Sequence, residues 1–333
     1  MEEIITLDYG SGGKKTSALI AERILPVLQN DALSELGDGA VIDGAGQLVF
    51  STDSFVVSPY FFPGGDIGKL SVCGTVNDVS MAGGEPKYLS LSFIIEEGFP
   101  VQDLEKILAS IRKTADEVGV QVVTGDTKVV ERGHGDGIYI NTSGIGFLKT
   151  PGLSPKKIRE GDAVLVSGPI GNHGTAVMLA RNDFQMEADI RSDCAPLAEP
   201  ALALGTLGED LRVMRDPTRG GLGTTLNEFI EDGRFGIELT EKEIPVEPAV
   251  NMVCEMLGLD PLYCACEGCL IAVVAPERAE EALKIMQDCP VSAGARIIGR
   301  VTTDHPGRVV VRTPFGGGRI ISKLSGAQLP RIC

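Results

Sequence analysis

The sequence predicts an α/β domain, then an α+β domain, then a mobile C-terminal tail. Three observations point there. Helix-like and strand-like patterns alternate through the first half, a Pro-, Gly- and Lys-containing stretch interrupts them at 149–162, and little periodicity survives from Pro314 on. At about 150 residues per domain, the length fits two domains. The divisions read as 1–150, 151–313 and 314–333.

The elements follow in order. Residues 16–29 place Ile20, Ile24, Val27 and Leu28 on one helical face, and 101–118 do the same with Leu104, Ile107, Leu108, Ile111, Ala115 and Val118. A third helix is expected at 67–82, after the loop FFPGGD. Strands are expected at 47–52, 88–96, 121–124 and across the alternating run 137–147. The second half opens on the apolar strand 163–168. Helices are expected near 173–182, 197–213, 221–231, 246–257 and 276–287, with strands at 236–240, 269–275, 295–302 and 308–313. The closing 314–333 stretch holds three consecutive glycines, 316–318, and reads as a flexible arm with a glycine hinge.

Composition narrows the function. A net charge of −16 argues against nucleic acid or an anionic membrane as a partner. It leaves room for nucleotides, which metal ions and backbone amides can hold. Trp is absent and aromatics make up 5%, so base-stacking platforms are not expected. The start MEEIITLDYG has neither a basic segment nor an apolar core, and no apolar run reaches about 18 residues, so neither a signal peptide nor a span is expected. Eight cysteines in such a chain read as reduced cytoplasmic thiols.

Short acidic elements carry the first candidate chemistry: GDGA with Asp38, STDS with Asp53, NDVS with Asp78 and GDTK with Asp126. A carboxylate beside glycine at a strand exit suits Mg²⁺, which takes few carboxylates and completes its shell with phosphate oxygens. Each could equally be a helix cap or a turn residue. The Gly-rich turn GSGGKK places Gly10, Gly12, Gly13 and Lys14 before a helix, a place suited to phosphate, although it is not a Walker A loop. RDPTRGG at 215–221 repeats the pattern with Asp216, and SGPIGNHG sets His173 in a glycine-rich turn. The run CACEGC at 264–269 contains half of a zinc or redox motif, but no second pair lies nearby, and small packed residues around Glu267 are the plainer reading.

The chain ends on Cys333 within QLPRIC. Prenylation needs the cysteine four residues from the end, which excludes it. A frayed end and a tethered reactive thiol remain.

Together GSGGK, DGA, STDS, GKLSVCGTVNDV, TGDTKVV, DPTRGG, a late Glu-Gly pair and a terminal PRIC resemble the HypE family of hydrogenase-maturation carbamoyl dehydratases, end to end and in order. The acidic set alone points only to the wider superfamily of aminoimidazole ribonucleotide synthetase, selenophosphate synthetase and thiamine-monophosphate kinase. The terminal PRIC is the specific part. The resemblance implies a homodimer whose N-terminal domains build a β-barrel across the two subunits, with ATP and Mg²⁺ in the cleft between the domains. It implies that Cys333 receives a carbamoyl group from the carbamoyltransferase HypF. ATP-dependent dehydration of the S-carboxamide then gives an S-thiocyanate, and the cyanide passes to iron on a HypC–HypD complex for a [NiFe] hydrogenase.

By the same match, Asp38, Asp53, Asp78 and Asp126 are metal or phosphate ligands, followed by Asp216, and Lys14 and Lys69 are phosphate cations. Glu267 is the first choice for the base, with Lys128 and His173 next. Two other readings stay open: a small-molecule kinase or synthetase of the same superfamily, and a non-catalytic metallochaperone using the cysteine cluster.

Overall fold

A computed structural model describes residues 4–10, 14–31, 44, 46–181, 188–324 and 333. Asp38, Gly12, Gly13 and residues 325–332 of the expected tail lie outside the described residues.

The first helical path runs through α1 (Lys14–Leu19), a π-helical stretch Ile20–Ile24 and α2 (Leu25–Leu28). Next come β1 (Leu48–Phe55), the short pair β2 (Phe61–Phe62) and β3 (Gly65–Asp66), α3 (Ile67–Met81), β4 (Gly84–Glu96), α4 (Val101–Val118), β5 (Gln121–Val130) and β6 (Ile138–Leu148). One sheet has the order β1-β6-β4-β5, antiparallel except for the parallel β4–β5 pair.

Its two faces differ. Leu89, Leu91, Phe93, Ile95, Ile138 and Ile140 are buried against α3 and α4. The other face leaves Leu48 52%, Phe50 67% and Ile94 44% exposed. Within one chain this sheet is open, not a closed barrel.

Helix α3 is buried on nearly every side, its small polar residues Ser71, Thr75 and Ser80 included, as expected of a helix inside a core. Asp66 caps it, accepting from the N–H groups of Gly68 (2.7 Å) and Lys69 (3.0 Å). Its polar residues Asn77 and Asp78 therefore need partners within the protein. Helix α4 buries the expected stripe, Leu104, Ile107, Leu108, Ile111 and Ala115, and ends on the left-handed Gly119.

The second half contains β7 (Ala163–Val166), α5 (Asn172–Ala180), α6 (Ala198–Leu204), β8 (Leu211–Arg215), α7 (Gly221–Phe229), β9 (Gly236–Thr240), α8 (Pro248–Leu257), β10 (Ile271–Val274), α9 (Ala279–Asp288), β11 (Arg296–Thr302), β12 (Val309–Arg312) and β13 (Gly318–Ile321). They form a seven-stranded sheet of order β13-β12-β9-β11-β7-β10-β8. β7 and β10 are buried throughout, which explains why they read as short continuous apolar runs.

Two expectations are corrected. The helix expected over 197–213 ends at Leu204; a 3-10 turn follows, with Gly208 at φ 60°, and Leu211–Arg215 is a strand. That strand is buried on both faces, so it shows no alternation that would separate it from a helix. Residues 318–321, expected within the flexible arm, instead form β13, paired antiparallel with β12 and closed by the buried Ile321. The glycines at 316–318 serve the hairpin turn, with Gly316 at φ 85°.

Candidate functional site

Asp53 lies on the helix-covered face of β1, against the middle of α3 at Gly74. A Cβ on Gly74 of α3 would stand 2.8 Å from the Phe55 ring, so glycine lets β1 lie close to the helix. Asp53 Oδ1 accepts from the Ser54 N–H at 2.7 Å, and Ser51 Oγ donates to Asp78 Oδ2 at 2.7 Å. Asp216, buried at the exit of β8, completes the group. Burial, the charge of Asp78 and then that of Asp53 push its carboxyl up to about 7. Burial also raises Asp53 and Asp78, Asp53 further through Asp78. Asp78 thus raises both of the others and Asp53 raises Asp216, which marks a cluster of carboxylates within reach of one another's charge.

The loop after Asp216 turns through Gly220 (φ 76°) and Gly221 (φ 58°) into α7. A Cβ on Gly221 would meet the carbonyl oxygens of Cys264 (2.6 Å) and Leu262 (2.7 Å). The Cys266 N–H donates to the Pro217 carbonyl at 3.1 Å. These contacts hold the 216–221 loop against the segment that carries Glu267.

Glu267 is 2% exposed, and its Oε1 has no hydrogen-bond partner. Burial pushes its carboxyl well above the usual range, as do Cys194, Asp216, Asp193 and Asp53. Such a group makes a strong proton acceptor once ionised.

Cys333 reaches this place. Its half-buried thiol packs on the core of the first half, and Arg219 Nε donates to Sγ at 3.3 Å. Burial pushes the thiol up, as does the charge of Glu267, while Arg219 draws it down. Arg219 also feels Asp53 and Glu267, so this cation stands among the thiol, Glu267 and the acidic cluster.

The remaining candidates lie elsewhere. Asp126 and Lys128 bind each other at 2.6 Å and are exposed. They pair with Ser92 and Ile94, on the open face of the sheet and three strands from Asp53, a lateral distance of about 14 Å. Lys69 Nζ donates to the Gly64 carbonyl at 3.3 Å, in the first turn of α3, while Asp78 lies near the last. His173 is fully buried, its Nδ1 2.8 Å from Ser192 Oγ and its ring edge-on to Phe62. Gly10 ends a 3-10 turn and Lys14 begins α1.

The cysteine run is packed. Cys264 Sγ lies 3.8 Å from Cys254 Sγ, and Cys266 Sγ accepts from the Gly171 N–H at 3.2 Å. Among the described residues no group of three or more His, Cys, Asp or Glu stands close enough to hold a metal ion on its own. Mg²⁺ does not require one, since substrate phosphates and water fill most of its shell. Hard oxygen donors with surplus negative charge at Asp53, Asp78 and Asp216 fit that ion.

Sequence reasoning quoted Arg219 and Asn77 inside motifs without giving either a role, and it passed over Asp193. No helix among the described residues is long and apolar enough to cross a membrane.

Residues 36–148 match the family model of AIR synthase related protein, N-terminal domain, and residues 159–312 match that of its C-terminal domain. The carbamoyl dehydratase HypE of Azotobacter vinelandii is 49% identical over 332 residues, covering 99% of this chain and 97% of that protein. A crystal structure of the hydrogenase maturation protein HypE in complex with ATP superposes with a TM-score of 0.94 at 47% identity, covering 98% of this chain and 99% of that one. A crystal structure of a HypE–HypF complex matches with a TM-score of 0.80 at 47% identity, covering 92% of this chain and 100% of that one. With this likeness running through both domains, the chain belongs to the HypE family of carbamoyl dehydratases, built on the fold of the AIR synthase related proteins.

Proposed function

We propose that this enzyme dehydrates a carboxamide carried on its own last residue. The sulfur-bound group –C(=O)NH₂ on Cys333 becomes –C≡N, and ATP becomes ADP and phosphate. The observation that carries this reading is the docking of the Cys333 thiol on Arg219, within the field of Glu267 and Asp53.

Amide oxygen is a poor leaving group, so it first takes the γ-phosphoryl group of ATP, and ADP leaves. The nitrogen then gives up its protons, the C–N bond becomes a triple bond and the oxygen departs with the phosphate. Arg219 orients the sulfur, and its charge sits where negative charge collects on the transferred group. Glu267 takes a proton from nitrogen, a task suited to a buried carboxylate with no other partner. Asp53, Asp78 and Asp216 would hold Mg²⁺, which when bound neutralises phosphate charge and offsets two of the carboxylates that keep Glu267 protonated.

Loading the thiol requires a second place for Cys333. The chain after Ile321 spans at most ~40 Å, and a carbamoyltransferase of the HypF type is the partner supported by the relative's complex. The product cyanide suits iron on a HypC–HypD acceptor, as the family resemblance implies. The reaction belongs in the cytoplasm, where thiols stay reduced.

A homodimer completes the reading. The apolar open face of the first sheet suits a second copy, which would close a barrel and cover Asp126 and Lys128.

The test is the mass of the C-terminal peptide after incubation with HypF, carbamoyl phosphate, ATP and Mg²⁺. The adduct should lose about 18 Da, leaving a net gain of about 25 Da on Cys333. Cys333→Ala should show neither adduct while binding ATP normally; an equal gain elsewhere in that variant would sink the reading.

A further inference from the structure

Glu267 owes its place to a segment that the reaction does not otherwise use. The Asp193 carboxylate accepts from two adjacent backbone N–H groups: that of Glu267, at 3.3 and 3.2 Å from its two oxygens, and that of Gly268, at 3.0 Å. The Ala195 N–H donates to the Glu267 carbonyl at 3.3 Å. A Cβ on Gly268 would lie 1.8 Å from the Asp193 carbonyl oxygen, so this approach is open only to glycine.

The segment is itself anchored at both ends. Ser192 N–H donates to the Pro63 carbonyl at 2.8 Å, and Ser192 Oγ bonds His173 and accepts from the Cys194 N–H at 3.0 Å. At the far end Asn77, buried on α3 beside Asp78, accepts from the Leu197 N–H at 2.8 Å. Its Nδ2 donates to the carbonyls of Ala195 (3.2 Å) and Glu267 (3.4 Å). The backbone around Glu267 is thus held from Asp193, Ala195 and Asn77, while one of its carboxylate oxygens touches no partner. Its aim is therefore set through the main chain.

We propose that Asp193 is a positioning residue for this reaction: it fixes the Glu267–Gly268 turn so that the Glu267 carboxylate faces the carboxamide on Cys333. A carboxylate suits the task because its Oδ2 accepts from both N–H groups while Oδ1 takes a second bond from Glu267 N–H, and the charge strengthens all of them. An asparagine keeps one acceptor oxygen but loses the charge, and its amide NH₂ would stand donor to donor against the Glu267 N–H where Oδ1 now accepts. Burial lifts Asp193 to about 6, and the bonds from Glu267 and Gly268 oppose that rise, so it stays mainly ionised at neutral pH.

This inference rests on the reading of Glu267 as proton acceptor, and a double-mutant cycle separates the two. Conversion of the preformed S-carboxamide is followed by mass in the full chain, in D193N, E267Q and the double variant. We expect D193N to lower the rate at saturating ATP about 10-fold or more, with the KM for ATP unchanged. We also expect D193N to cost nothing further in the E267Q background. A wild-type rate in D193N, or the same fold loss repeated on top of E267Q, overturns the inference. A wild-type rate in E267Q overturns instead the reading beneath it. Should D193N not fold, D193E keeps the charge but moves the acceptor oxygens by one methylene, and the same cycle decides with the same outcomes.

Discussion

The Arg219 Nε donates a hydrogen bond to the Cys333 sulfur at 3.3 Å, joining the middle of the chain to its last residue. The glycines after Arg219 bring its loop against the Glu267 segment, so the cation that holds the thiol also feels the Glu267 carboxyl.

Removing Arg219 should therefore affect the docked thiol more than the nucleotide. A partly exposed charge-assisted bond is worth roughly 1–2 kcal/mol. Arg219→Ala should slow dehydration of the carbamoylated chain by roughly 5–30-fold, with ATP affinity within about twofold of wild type. Single-turnover mass spectrometry and nucleotide titration check the two halves. Equal losses in both would show that Arg219 serves ATP rather than the tail.

The open sheet face gives a prediction about assembly. Leu48 and Phe50 stand on it beside Phe147 and Ile145, their respective cross-strand partners. A patch of that kind on an unpaired sheet requires a cover. Phe50→Asp should convert a dimer to a monomer in light scattering, with little loss of monomer stability because the side chain is exposed. A wild-type chain that is already monomeric at micromolar concentration would remove the second copy from the reading.

The same sheet shows what could and could not be read from sequence. Asp53 and Asp78 were legible as acids of a strand and a helix, although β1 runs on to Phe55, so Asp53 lies within the strand, opposite Thr142, and not at its exit. Asp126 reads as their equal, yet it faces the other way. Val122 and Val123 are both buried, and the register with β4 shifts there, so after the bulge the alternation is inverted and Thr124, Asp126 and Lys128 take the open face. Local alternation cannot show that shift. The strand 211–215 was hidden by burial on both faces, and 318–321 by the glycines of its own turn. Asp193 had no sequence signal, because its role comes from a contact with residues more than seventy positions away. Glu267 was reached through resemblance, and its burial and unpartnered oxygen are what give that choice physical content.

The last prediction concerns what that burial costs. The folded chain holds Glu267 well above the usual carboxylate range, through burial and then the charges of Cys194, Asp216, Asp193 and Asp53. In the unfolded chain the same group ionises near its ordinary value of about 4.3. Between those two values the folded state binds more protons, so stability falls as pH rises. The contribution is fully present below the unfolded value and is lost progressively up to the raised folded value. Glu267→Gln is neutral at every pH and removes this dependence. Its melting temperature should therefore fall less than that of wild type between pH 5 and pH 8, even as it loses dehydratase activity, the pattern of a site that gives up stability for function. Melting curves for both proteins across that range, without nucleotide or divalent cation, are the measurement. Parallel curves would mean that Glu267 is already ionised in the folded protein and does not carry the strain assigned to it.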